Sequence, residues 1–127
     1  MSGERFARIV FAGAGAWGVA AAALLYLGMG PPAAGAAGAG ARFYAVFLVI
    51  TLVWQFAFFL IAADPARYRA LMVLAMLEEL SFCMAMPLLA WLRIAPWAAA
   101  VTAAPAAALL ALFWLAWRRT MPAAGTG

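Results

Sequence analysis

Glu78 and Glu79 stand side by side in a stretch otherwise made of Leu, Met, Ala, Val, Phe and Ser. A charged side chain placed in hydrocarbon costs about 2.5–3.5 kcal/mol on insertion scales, so such a group needs a proton, a cationic partner or water reached through protein. Two adjacent carboxylates in a low dielectric also repel one another, and the pair is not expected to be doubly ionised near neutral pH. The chemistry such a pair suits is the holding of a cation or the transfer of a proton.

Other groups that can form hydrogen bonds fall at a similar depth in the chain's apolar stretches. Trp54 and Gln55, with Thr51 one turn away, lie mid-way along one stretch, and Trp17 lies mid-way along another. Ser81, Phe82 and Cys83 flank the glutamates. Trp17 and Trp54 sit away from the membrane–water boundaries where tryptophan usually collects. Helical spacing sets the glutamates about 100° apart, so one can face the centre of a bundle while the other faces a neighbour. Glu79 shares a stripe with Met72, Met76, Cys83 and Met86, and Glu78 shares one with Leu71, Ala75, Ser81, Phe82 and Ala85.

Three readings of the pair stay open on this evidence. The glutamates can be a structural polar pair bonded to Gln55, Thr51, Ser81 or a neighbouring subunit. One of them can be a titrating site that exchanges a proton for a substrate cation. Or the methionine-rich stripe can hold a soft metal such as copper(I), for which thioether and thiolate suit, although methionine at helical spacing more often fills a core.

These residues need helices to position them. Of 127 residues, 71% are hydrophobic and 9% charged. No soluble domain of this size hides so much apolar surface. The length accommodates four spans of about 20 residues and short connections. The spans are predicted at about 6–28, 43–62, 65–92 and 96–117, giving an all-α, antiparallel four-transmembrane-helix bundle in a single membrane domain. Depth counted at 1.5 Å per residue puts Glu78 and Glu79 roughly 12–14 Å into a core about 30 Å thick.

Charge sets the orientation. The net charge is +4, and every cation is an arginine. Arg5, Arg8, Arg67, Arg69, Arg118 and Arg119 fall on one side, against Arg42 and Arg93 on the other. This bias predicts that the N and C termini are cytoplasmic. Tyr26, Tyr44, Trp91 and Trp97 then form one aromatic belt, and Tyr68, Trp114 and Trp117 the other. Arginines at span ends report orientation, so no nucleic-acid partner is expected.

Composition excludes much chemistry. With no histidine there is no bis-histidine haem, histidine-held zinc or histidine acid–base catalysis. With no lysine there is no Schiff base. Cys83, the single cysteine, cannot form an internal disulfide. No nucleophile–base pair is visible, so the chain is not expected to be an enzyme, and no metal or cofactor is expected.

Asp64 followed by Pro65 reads as a cap and first position of the third span, with Arg67 one turn on. Residues 29–41, rich in Gly, Ala and Pro, read as a flexible external loop. Arg5, Arg8, the first apolar stretch and the later Ala-x-Ala triplets also resemble a cleavable signal peptide, but the stretch is longer than such segments use. Gly13, Gly15 and Gly18 in the first span, and the alanines of the fourth, suit close helix packing or contact with another copy. Pro87 and Pro105 are expected to kink their helices.

The run Asp64-Pro65-Ala66-Arg67-Tyr68-Arg69, then Leu71-Met72, then Leu77-Glu78-Glu79-Leu80-Ser81-Phe82, resembles a pattern in small four-span bacterial inner-membrane proteins of unknown function, of the DoxX-like or BphX-like kind. That resemblance implies no activity. The small multidrug resistance transporters compare in size, but they keep their essential glutamate on the first span, where this chain has no carboxylate after Glu4.

The sequence therefore predicts a small inner-membrane protein that binds or transports a hydrophobic or cationic small molecule in a midplane pocket. Trp17, Trp54 and Phe82 would line the pocket, Glu78 or Glu79 would supply charge or a proton, Gln55 would orient the carboxylate, and Ser81 would flank it. The alternative is a non-catalytic accessory subunit whose small-residue faces pack against a larger membrane complex. Either way the partners expected are the lipid bilayer and a second copy or another membrane protein.

Overall fold

The computed structural model describes residues 1–29 and 39–121 of the chain. Their order is α1 (Gly3–Met29), α2 (Ala39–Ala63), α3 (Arg69–Trp91), a single turn α4 (Trp97–Ala100) and α5 (Ala103–Arg119). Among the described residues there is no strand, so the all-α expectation holds. Three of the helices, α1, α2 and α3, are long and apolar enough to cross a membrane.

Local chemistry accounts for the boundaries. α1 starts earlier than its apolar pattern suggests because Ser2 caps it: the Arg5 N–H donates to Ser2 Oγ at 3.3 Å. α2 begins at Ala39, so the end of the anticipated loop is helical, while residues 30–38 lie outside the described residues. Pro65 stops α2, since the residue before a proline is pushed out of the helical region.

Asp64 then organises a turn rather than a helix start. Its Oδ1 accepts from the Arg67 N–H at 3.1 Å, its carbonyl accepts from the Tyr68 N–H at 3.1 Å, and α3 begins only at Arg69. Pro87 lies inside α3, which runs through it to Trp91.

The stretch expected to form a fourth span folds as two separate helical pieces. Pro105 has no N–H for the Val101 carbonyl, and its ring crowds that carbonyl. The helix accordingly breaks at Val101–Thr102, where Ala104 N–H bonds Val101 at 3.1 Å instead. Pro105 therefore falls in the first turn of α5, a position that tolerates it, rather than kinking a continuous span.

At the other end of α3, Arg93 has φ 57°. That is a left-handed conformation costing an L residue about 1–2 kcal/mol.

The helices run antiparallel around a ring. α1 packs along α2 and α5, and α3 packs along α5, whereas the consecutive pair α2 and α3 touch only lightly. Gly3 meets the Arg119 carbonyl, and Met72 meets the Thr120 hydroxyl at 3.9 Å. The start of α1, the end of α5 and the start of α3 thus share one end, here called the near end; α3 and α4 meet at the far end.

The buried core lies towards the near end, where all four long helices contribute. Phe11 stacks on Phe113 at 4.4 Å between centroids, and Phe58 meets Phe113 edge-on at 5.2 Å. Met72 and Ala75 of α3 close this cluster. Arginines clasp aromatic rings at the same end: Arg69 over Trp117 at 4.9 Å, Arg118 over Trp114 at 5.0 Å and Arg119 over Phe6 at 4.5 Å. Elsewhere large apolar side chains point outward, among them Leu24, Val49, Val53, Phe56 and Met84.

The glycines of α1 do not act alike. A Cβ on Gly15 would sit 2.9 Å from the Phe59 ring, and one on Gly18 would overlap the Gln55 amide, but one on Gly13 would meet nothing within 4 Å. Only Gly15 and Gly18 set how closely α1 and α2 approach. Gly15→Ala is expected to lower stability by about 1–3 kcal/mol through overpacking on the Phe59 ring, and Gly18→Ala by less, because the obstacle there is the flexible end of Gln55. Gly13→Ala should be neutral or stabilising by up to ~1 kcal/mol. Unfolding of the three variants in mild detergent measures the contrast.

Candidate functional site

The stripe that α3 turns to α5 is Met72, Ala75, Met76, Glu79, Cys83, Met86 and Ala90, all buried or half-buried. Its spacing of three and four residues is that of one helix face. This selects between the glutamates. Glu79 is the inward one, 8% exposed; Glu78, about 100° round the helix, is exposed.

The α3–α5 register follows from two contacts. The Cys83 thiol lies 3.8 Å from the Ala103 carbonyl, and Thr120 meets Met72. Glu79 therefore lies level with the stretch around Leu109, where α5 offers only apolar side chains. Among the described residues Glu79 has no hydrogen-bond or ion-pair partner from another helix, since the arginines occupy helix ends. A buried charge without partner or ligand is costly.

Glu78 is held across the seam between α2 and α3. Trp54 Nε1–H donates to Glu78 Oε2 at 2.7 Å, short enough for a charge-assisted bond. The indole also packs edge-on against Phe58, with 6.2 Å between centroids, which ties the pair to the aromatic core. Phe82, one turn beyond Glu78, is on the same side of α3 and partly exposed.

Gln55 faces a different way. It is 5% exposed. Its Nε2 donates to the Thr51 carbonyl at 2.9 Å, its Oε1 has no partner, and its amide lies against Gly18 of α1. Successive residues of α2 thus serve two neighbours, Trp54 reaching α3 and Gln55 reaching α1. No hydrogen bond joins Gln55 to either glutamate.

The structure accordingly gathers only part of the anticipated constellation. Trp54 and Glu78 are brought together, and Glu79 lies inside beside them. Trp17 is 58% exposed. It lies about a third of a turn from the buried stripe Ala7, Phe11, Ala14, Gly18 and Ala22, which α1 commits to packing. Ser81 is exposed, and its hydroxyl donates to the Leu77 carbonyl of its own helix at 2.7 Å.

The methionine-rich stripe is drawn out along the helix. From Met72 to Met86 it spans about 21 Å at 1.5 Å per residue, too far for one ion to bridge. Met72 itself is fully buried in the core.

Gly18, expected only as a packing glycine, is the residue on which Gln55 rests. The signal was there in spacing: two glycines about one turn apart on α1 oppose Gln55 and Phe59 about one turn apart on α2, in antiparallel register.

A separate apolar groove of about 390 Å³ lies between α1 and α2, lined by Val19, Ala22, Tyr26, Leu48, Val49 and Leu52 among others. No protein-family model, curated protein or solved structure matches this chain.

The bond across the seam is open to measurement. In a double-mutant cycle, Trp54→Phe and Glu78→Ala should show a coupling of about 1.5–3 kcal/mol, the range for hydrogen bonds to charged groups. The indole ¹⁵N–¹H signal of Trp54 should move in Glu78→Gln. No coupling and no shift would mean the bond does not form.

Proposed function

We propose that this chain is a small multi-pass protein of a bacterial inner membrane that binds, and by binding moves, a hydrophobic cation. α4 and α5 would complete a fourth crossing, with both termini in the cytoplasm. α5 alone, at 17 residues, covers about 26 Å, and α4 adds a turn at its far end. The placement of Arg5, Arg8, Arg67, Arg69, Arg118 and Arg119 at the near end supports the orientation.

The observation that carries the binding reading is Glu79. It is a buried carboxylate, mid-way along an apolar helix, with no cation among the described residues set against it. Its counter-charge then comes from outside the chain, as a ligand cation or a proton. The lightly joined seam between α2 and α3 gives a lateral approach, Trp54 and Phe82 offer aromatic surface for a lipophilic cation, and Glu78 stands at the mouth. Exchange of a cation for a proton at Glu79 would couple binding to the proton gradient.

A second reading rests on a different observation. Glu78 and Ser81 are exposed half-way along α3, and hydrocarbon does not solvate a carboxylate. A partner helix, from another membrane protein or a second copy, would cover them, and the chain would then be a non-catalytic accessory subunit.

Binding of tetraphenylphosphonium to the detergent-solubilised protein, measured by equilibrium dialysis, tests the first reading. Glu79→Gln is expected to weaken binding at least tenfold, and Glu78→Gln by a smaller factor, with helical content unchanged. Wild-type affinity in both variants would reject the cation site. The subunit reading predicts recovery of one stoichiometric membrane partner that is lost in Glu78→Gln, and recovery of the chain alone would reject it.

A further inference from the structure

The far end of α3 closes in a way its sequence does not favour. Ile94 N–H donates to the Leu89 carbonyl at 2.9 Å, and Arg93 N–H donates to the Ala90 carbonyl at 3.1 Å. These are the two bonds of a Schellman cap, whose turning residue is ordinarily glycine because it must adopt a left-handed conformation. Arg93 occupies that place, as the positive-φ non-glycine residue among those described. Something other than backbone preference accounts for an arginine there.

Its surroundings show what the guanidinium is offered to. Arg93 borders a hollow of about 390 Å³ lined also by Ala90, Trp91 and Trp97. The two tryptophans are 74% and 64% exposed. The chain's acidic residues are Glu4, Asp64, Glu78 and Glu79, at the near end or mid-way along α3, so none reaches Arg93. Arg67, Arg69, Arg118 and Arg119 each lie over an aromatic ring, whereas Arg93 has no such ring partner and no ion pair among the described residues. The cation also sits on the arginine-poor side of the chain.

We propose that this hollow binds the phosphate of an anionic membrane lipid. The Arg93 guanidinium pairs with phosphate oxygens, a geometry its planar fork matches bidentately. Trp91 and Trp97 flank it at headgroup depth, where indole keeps one face apolar and its N–H wet. The exposed side chains of Leu88, Leu92 and Ile94 provide the surface along which acyl chains lie. The site stands apart from the glutamates and does not depend on what they bind.

Native mass spectrometry of the delipidated full-length protein, titrated with phosphatidylglycerol, phosphatidylcholine or inorganic phosphate, tests the assignment. Arg93→Gly relieves the left-handed strain, so it is expected to unfold no more easily than wild type. It should nevertheless lower occupancy of the tightest phosphatidylglycerol adduct at least fivefold, while Arg93→Lys retains most of it. Undiminished adducts in Arg93→Gly would overturn the site. Equal Arg93-dependent retention of phosphatidylcholine would overturn the anionic preference, and displacement of the lipid by millimolar inorganic phosphate would overturn the lipid as its occupant.

Discussion

Hydrocarbon cannot solvate a carboxylate or an unpaired amide, and the disposition of polar groups in this chain follows from that constraint. Three long apolar helices satisfy their own backbone. The few polar side chains along them are handled one by one. Gln55 bonds its own helix and presses on Gly18, Ser81 bonds back to Leu77, and Glu78 takes the Trp54 indole. Glu79 is turned inward among apolar neighbours and, among the described residues, meets no partner from another helix, while the Gln55 Oε1 is likewise left unpaired.

The bundle is asymmetric along its length, and the asymmetry matters for that site. Near the chain's ends, phenylalanines from three helices interlock with Met72 and Ala75 of α3, and arginines clasp tryptophan and phenylalanine rings. The seam between α2 and α3 is joined much more lightly, with Trp54–Glu78 bridging it. The proposed cation site takes advantage of that difference.

The helical class, and three of the four expected segments as helices long and apolar enough to cross a membrane, were legible from composition and run length alone, because nothing but helix satisfies so many consecutive amides in an apolar surrounding. Helix ends were less legible. Asp64 carries the signature of a helix cap but spends it on a turn that displaces α3 to Arg69, and Pro105 breaks the fourth segment one turn upstream of itself instead of bending it. In both cases the residue type was read for its usual effect, and its effect depended on which carbonyl or amide lay one turn away.

What the sequence determined by itself is that two adjacent carboxylates lie deep in an apolar helix and that the arginines lie away from them, because depth along a helix is a count of residues. Which carboxylate faces inward was decided only by packing. The stripe of Met72, Ala75, Cys83 and Ala90 docks on α5 and carries Glu79 with it, and a rotation of about 100° would have chosen Glu78 instead. Likewise Trp17 and Trp54 stand at matching depths in the sequence. Only the glycine-bedded contact between α1 and α2 turns one indole out and leaves the other reaching for Glu78, since a helix has a single face to give to its neighbour.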